Sequence, residues 1–373
     1  MTDPHFPYQR QLLFWSVLLL AAGWGMYSLS GVMLPFVAGI ALGYLLDPLA
    51  RRLQALGLSR SVSTVLILVA CAIALLLLAL LLGPVLGRQL SGFLDHLPLY
   101  VQKLQDLAAT QANILTEKYG NAILEKLGMS TGQGGAFDAQ KTITDFAGQA
   151  SQWIAGFIRS LISGGAALIS LLSLLVVTPV VAFYILIDWD KMIATIDGLL
   201  PLAQRDTIHN IARDIDRALA GFIRGQSLVC LILGLWYGIG LSLIGLNFGF
   251  LIGFTAGMLS FIPYVGSMTA LALSLVIAIV QGWPHWTLTL MALAVVGTGQ
   301  FMEGNILSPK LVGASVGLHP VWLMFALLSF GSVFGFIGLL IAVPVAAALG
   351  VLVRFALAQY RMSDFYLGSA RLK

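Results

Sequence analysis

The chain has 373 residues, 59% of them apolar and only 10% charged, against about 25% charged in an average soluble domain. That balance excludes an ordinary water-soluble globule. The net charge of +4 is no nucleic-acid signature, because scattered Lys and Arg read as markers of cytoplasmic loops.

Two apolar stretches, residues 12–30 and 32–46, predict a tight helical hairpin with Pro35 near the start of its second arm. Arg10 precedes it as in a signal peptide, but the run has no convincing cleavage site, so an uncleaved hairpin is expected. The loop "DPLARRLQALGLSR" carries Arg51, Arg52 and Arg60, and residues 62–86 form a third span. Residues 1–87 thus read as N-terminal transmembrane helices. Residues 88–152 are polar and helical in period, with Leu94, Leu97, Val101, Leu104 and Ala108 on one face, broken by "MSTGQGGAF". Residues 153–187 form a long apolar helix, and 188–226 a charged amphipathic connector. The cysteines, Cys71 and Cys230, sit inside apolar runs, which argues against a disulfide.

Residues 227–356 form the C-terminal core, followed by a tail at 357–373. No Lys, Arg, Asp or Glu occurs between Arg224 and Glu303, or from Leu311 to Val353. Within these runs, residues 248–281 as one helix would measure about 51 Å and residues 317–355 about 58 Å, against a hydrocarbon core of about 30 Å. Split at Pro263–Gly266, the first gives arms of about 21 and 23 Å, each too short to cross. Its tip reads "FIPYVGS", with Pro263, Tyr264, Gly266 and Ser267. The second has Gly331, Ser332 and Gly335 at its middle, in "SFGSVFGFIG". Each segment is either a re-entrant hairpin or one long kinked helix. The fold class expected is an all-α polytopic membrane protein with about eight hydrophobic segments, two of them broken.

Between the broken segments lies the most polar apolar stretch, with Gln300 and Glu303 three apart and Asn305 and Pro309 expected to end the helix. An intramembrane carboxylate is costly to bury and reads as functional; the alternative is an interfacial Glu303 paired with Lys310. His285 and His319 each sit beside a proline with no further ligand at metal spacing, so no metal is expected. No nucleotide loop, nucleophile elbow or HExxH helix occurs, so neither an enzyme nor a cofactor is expected, and transport would run on a solute or ion gradient. Basic residues place residues 47–60, the 188–226 connector and both termini on the cytoplasmic side, and residues 88–152 outside.

"FIRGQ" (222–226), "FIPYVGS", "MEGNILSPKLVGASVGLHP" (302–320) and "GFIGLLIAVPVAAAL" (335–349) resemble signature segments of the autoinducer-2 exporter family. Ser267 departs from the proline expected in a "PYVGP" pattern. The resemblance implies a bacterial inner-membrane permease, a homo-oligomer (a pentamer among the candidates), with a gated-hairpin or elevator-like mechanism. Its partners would be the bilayer, a small polar solute and a coupling proton or sodium ion, with no nucleic acid. Three readings follow: export of an autoinducer-2-like solute, cation/proton antiport through Glu303, and a non-transporting scaffold using residues 93–128 as partner surface.

Overall fold

The computed structural model describes residues 32–126, 165–313 and 317–363, with Tyr366 and isolated positions among the first 29. Most of the expected arm at 12–30, the break at "MSTGQGGAF" and the end of the tail lie outside the described residues. Among the described residues the regular structure is helical throughout. In chain order it comprises α1 (Leu34–Ala55), α2 (Arg60–Lys126), α3 (Gly165–Asp197), α4 (Arg205–Leu243) and α5 (Gly249–Leu259). Then follow α6 (Val265–Gly282), α7 (Thr287–Met302), a π-helix (Glu303–Gly313) and α8 (Pro320–Met362). Among the described residues, seven helical segments are long and apolar enough to cross a membrane. The 11-residue α5, about 16 Å long, is not. This is an all-α polytopic membrane protein.

α2 runs unbroken for 67 residues through Pro84 and Pro98, although its sequence changes from leucine-rich to polar near Arg88. Leu and Ala in the first half, joined by Gln, Lys and Glu in the second, sustain a helix against two local proline penalties. Leu75, Leu76, Leu77, Leu78, Leu80 and Leu81 are all exposed within the chain. A helix apolar all round needs lipid or another protein to cover it.

The chain divides into two compact units. The first comprises residues 1–74, 172–229 and 303–373, the second residues 75–171 and 230–302. In the first unit, α1 and α3 cross closely: a Cβ on Gly39 would lie 2.6 Å from Val181 Cβ, so only glycine fits. Thr178 Oγ1 donates to the Pro35 carbonyl across the same crossing at 3.3 Å. Leu46, Ala50, Ile67 and Leu186 pack together below it. The first half of α4 packs on α8 through Ala218, Ala347 and Val351.

In the second unit, Gly234 and Gly238 of α4 meet Gly257 and Gly253 of α5, backbone against backbone. Such one-turn glycine pairs drive helix association where lipid removes any hydrophobic incentive. Tyr237 is buried against Gly299 of α7, and Trp236 Nε1 donates to the Val295 carbonyl at 3.1 Å. α2 closes the other side. Gln89 Oε1 accepts from Leu251 N at 2.8 Å, satisfying one of the first-turn amides of α5 that has no helical partner.

Candidate functional site

The first expected break is present in the second unit. α5 stops at Leu259, residues 260–264 turn, and α6 starts at Val265. Pro263 cannot continue the α5 hydrogen-bond ladder, and Tyr264 is held in the left-handed region at φ 68°, ψ −28°. A bulky aromatic there is a strained outlier that surrounding packing must hold in place. Gly266 is buried against the Ala256 carbonyl and the backbone and hydroxyl of Ser260, where a Cβ would overlap. The two arms therefore fold onto each other. Ser267 Oγ donates to the Tyr264 carbonyl at 3.1 Å, securing the left-handed residue from the helix side. Position 267 lies in the first turn of α6, where a proline's missing N–H has no helical partner to lose. Serine and proline thus both suit this tip.

The second break, in the first unit, is made differently. Within α8, Gly335 has φ 59° and ψ −137°, a conformation essentially reserved for glycine. A Cβ on Gly338 would fall on the Phe330 carbonyl, and one on Gly331 would lie 2.8 Å from Leu339 Cδ2. Eight residues along a straight helix are about 12 Å apart, so the chain doubles back at Gly335. Ser332 is exposed, and its hydroxyl donates to the Ser329 carbonyl at 2.9 Å. Both long apolar segments are therefore broken, at the positions their lengths require.

The stretch between them corrects one expectation. Asn305 and Pro309 do not end the helix, because α7 passes directly into the π-helix that carries both. In an α-helix the Pro309 ring would meet the Asn305 carbonyl four residues back. The wider π turn removes that collision, and π segments recur at functional sites. Glu303 opens this segment. Its Oε2 is buried with no hydrogen-bond partner, and no ion pair joins Glu303 to Lys310. Gln300, Asn305 and Pro309 are exposed. The structure thus gathers Pro263, Tyr264, Gly266 and Ser267 into one turn, and Gly331, Ser332 and Gly335 into another. Glu303, Asn305 and Pro309 share the π-helix. Among the described residues no group of three or more His, Cys, Asp or Glu could hold a metal.

Sequence reasoning missed a charged cluster in the first unit. It read Arg51 and Arg60 only as topology markers. In the structure Asp47 receives Arg51 at 2.8 Å, Arg60 at 3.4 Å and Arg224 at 3.8 Å. Arg60 also donates to the Leu186 carbonyl at 2.6 Å, and Arg224 to the Tyr44 carbonyl at 3.0 Å. Arg224 belongs to "FIRGQ", whose Gly225 is pressed against the Leu311 carbonyl of "SPKLVG", leaving no room for a Cβ. The signal was present: two signature segments far apart in sequence, one with an arginine and a glycine that nothing local required.

Helices with membrane-spanning length, two interrupted apolar segments and a half-buried carboxylate on a π-helix are features of a membrane transporter. The comparisons agree. The chain belongs to the AI-2E family of transporters, whose model matches residues 12–358. It is 31% identical over 326 residues to YrrI of Bacillus subtilis (strain 168), provisionally named a transport protein, covering 86% of this chain and 85% of that one. PerM of Escherichia coli (strain K12), provisionally named a permease, is 26% identical over 334 residues, 88% of this chain and 89% of PerM. YueF of Bacillus subtilis (strain 168), also provisionally named a transport protein, is 27% identical over 316 residues, 83% of this chain and 80% of YueF.

Proposed function

We propose that the protein is a bacterial inner-membrane secondary transporter that exports a small polar solute of the autoinducer-2 type. The observation that carries this reading is the pair of chain breaks at Tyr264 and Gly335. Discontinuous helices in secondary transporters offer freed amides and carbonyls, with the partial charges of helix ends, to a bound solute. An uncharged, hydroxyl-rich ligand suits such groups. Movement of the turns as gates, or of a larger body as in an elevator, would alternate access; orientation follows the basic loops, with both termini cytoplasmic. The test is purified protein in liposomes loaded with autoinducer-2, assayed with and without proton and sodium gradients. Protein-dependent efflux supports the reading, and efflux no faster than from empty liposomes rejects it.

Glu303 supports a second reading, cation/proton antiport. A carboxylate with one oxygen buried and unpartnered is a candidate proton carrier, and this stretch of the chain has no other acid. On that reading Glu303→Gln abolishes gradient-driven cation exchange. On the export reading it only modulates autoinducer-2 efflux.

A further inference from the structure

We propose that a cavity in the first unit binds the phosphate group of an anionic ligand at the level of the lipid headgroups. The cavity measures about 410 Å³, within the range of small-ligand sites. Arg51, Arg60, Arg217 and Arg224 line it, opposed by Asp47 and Asp216. One carboxylate, Asp47, is shared by three guanidinium groups, while Asp216 accepts the Tyr44 hydroxyl at 3.0 Å. Asp47 and Arg60, 18% and 20% exposed, form the inner pair, while Arg51 and Arg224 stand at the open side and Arg217 there also pairs with Asp214 at 3.2 Å. An added anion would relieve the repulsion among the arginines. Guanidinium forks match phosphate oxygens in pairs, which a point-charge lysine cannot. Tyr44 and Trp189, packed edge to face at 6.3 Å, form an aromatic wall of the same cavity.

The depth of the cavity follows from the chain. Asp47 and Arg51 come just after the apolar run ending at Leu46, and Arg60 comes just before the run starting at Val62. Trp189 follows the run ending at Ile187, and Arg224 precedes the one starting at Ser227. Four separate segments thus bring their polar ends together where apolar helices stop. Basic pockets between helices at that level bind phosphate headgroups, and tryptophan favours the same depth. The phosphate could come from an anionic phospholipid or from a soluble phosphate compound, and the chemistry of recognition is shared. The inference does not depend on which solute is exported.

The test is the thermal unfolding midpoint of the full-length protein in detergent micelles. One arm adds short-chain phosphatidylglycerol, with phosphatidylcholine of equal chain length as reference. The other adds inorganic phosphate, with sodium chloride at equal ionic strength as reference. A ligand that binds only the folded protein raises the midpoint. Stabilisation in the first arm identifies a lipid source, and in the second a soluble one. The Arg51→Gln/Arg217→Gln variant should need about tenfold more probe for the same shift, the expected effect of losing a charge-assisted hydrogen bond. Its arginines are 68% and 74% exposed, so the fold tolerates the change. Arg224→Lys, which keeps the charge and loses the fork, should weaken binding similarly, whereas Arg361→Gln, outside the cavity, should not. No stabilisation by either probe, or an unchanged concentration dependence in both cavity variants, overturns the proposal.

Discussion

At Tyr264 a proline stops one helix, a left-handed tyrosine turns the chain, and a crowded glycine lets the next helix pack back. At Gly335 no proline is involved, and the space around the missing Cβ is open, with no neighbour within 4 Å. There the turning residue itself is set by its φ/ψ pair, and Gly338 supplies the close approach of the two arms. Both breaks are packed through a crowded glycine, Gly266 in one and Gly338 in the other, but only the second turns on a residue whose own φ/ψ excludes a side chain. Physically similar interruptions can have different points of failure, and substitutions at the two sites should separate them.

The largest effect is expected at Gly266. Gly266→Val forces a branched side chain onto the Ala256 carbonyl and Ser260, which should cost about 3 kcal/mol as an overpacking change. It should lower the denaturant midpoint sharply and open the α5–α6 turn. Gly335→Ala comes next. Its methyl meets nothing, so the cost is conformational, about 1–3 kcal/mol, and Gly335→Val should be no better tolerated. If Gly335→Ala were as stable as the parent, the backbone argument for the second break would be wrong.

Tyr264→Gly should act in the opposite direction. Relief of the left-handed tyrosine is worth about 1–2 kcal/mol, offset by about 0.5–1 kcal/mol of added freedom in the unfolded chain. A small rise in unfolding midpoint, with slower efflux, would mean that the strain serves transport. The smallest effect belongs to Ser267. Ser267→Ala removes one hydroxyl bond to the Tyr264 carbonyl, about 1 kcal/mol, while Ser267→Pro loses the same bond but regains about 0.4–1 kcal/mol by restricting the unfolded chain, for a net change near zero. Comparing the two midpoints checks whether the hydroxyl, rather than rigidity, secures this tip.

Much of this organisation was legible before any coordinates. Charge-free runs longer than a bilayer is thick left a hairpin or a kinked helix, and Pro263 and the glycines around 335 marked where the interruption falls. Less legible was how each break is made. That Tyr264 would adopt a positive φ, or that Gly266 would be excluded from bearing a Cβ by Ala256, depends on contacts ten residues apart. The π-helix was misread because Pro309 signals an end in any α-helix, and only a wider turn accommodates it. The Asp47 cluster was missed for a different reason. Its arginines come from segments up to 173 residues apart (from Arg51 to Arg224), and charge counting assigns them to loops before their partners are known.

The most direct measurement is disulfide cross-linking of Gly331→Cys/Leu339→Cys in a background lacking Cys71 and Cys230, read with autoinducer-2 efflux before and after reduction. A chain that doubles back at Gly335 brings these positions within the reach of a disulfide, whose Cβ atoms are about 3.5–4.5 Å apart, whereas a continuous helix holds them about 12 Å apart. The account predicts ready cross-linking, with efflux blocked until the bond is reduced. No cross-link under oxidising conditions, or full efflux with the bond intact, would contradict it.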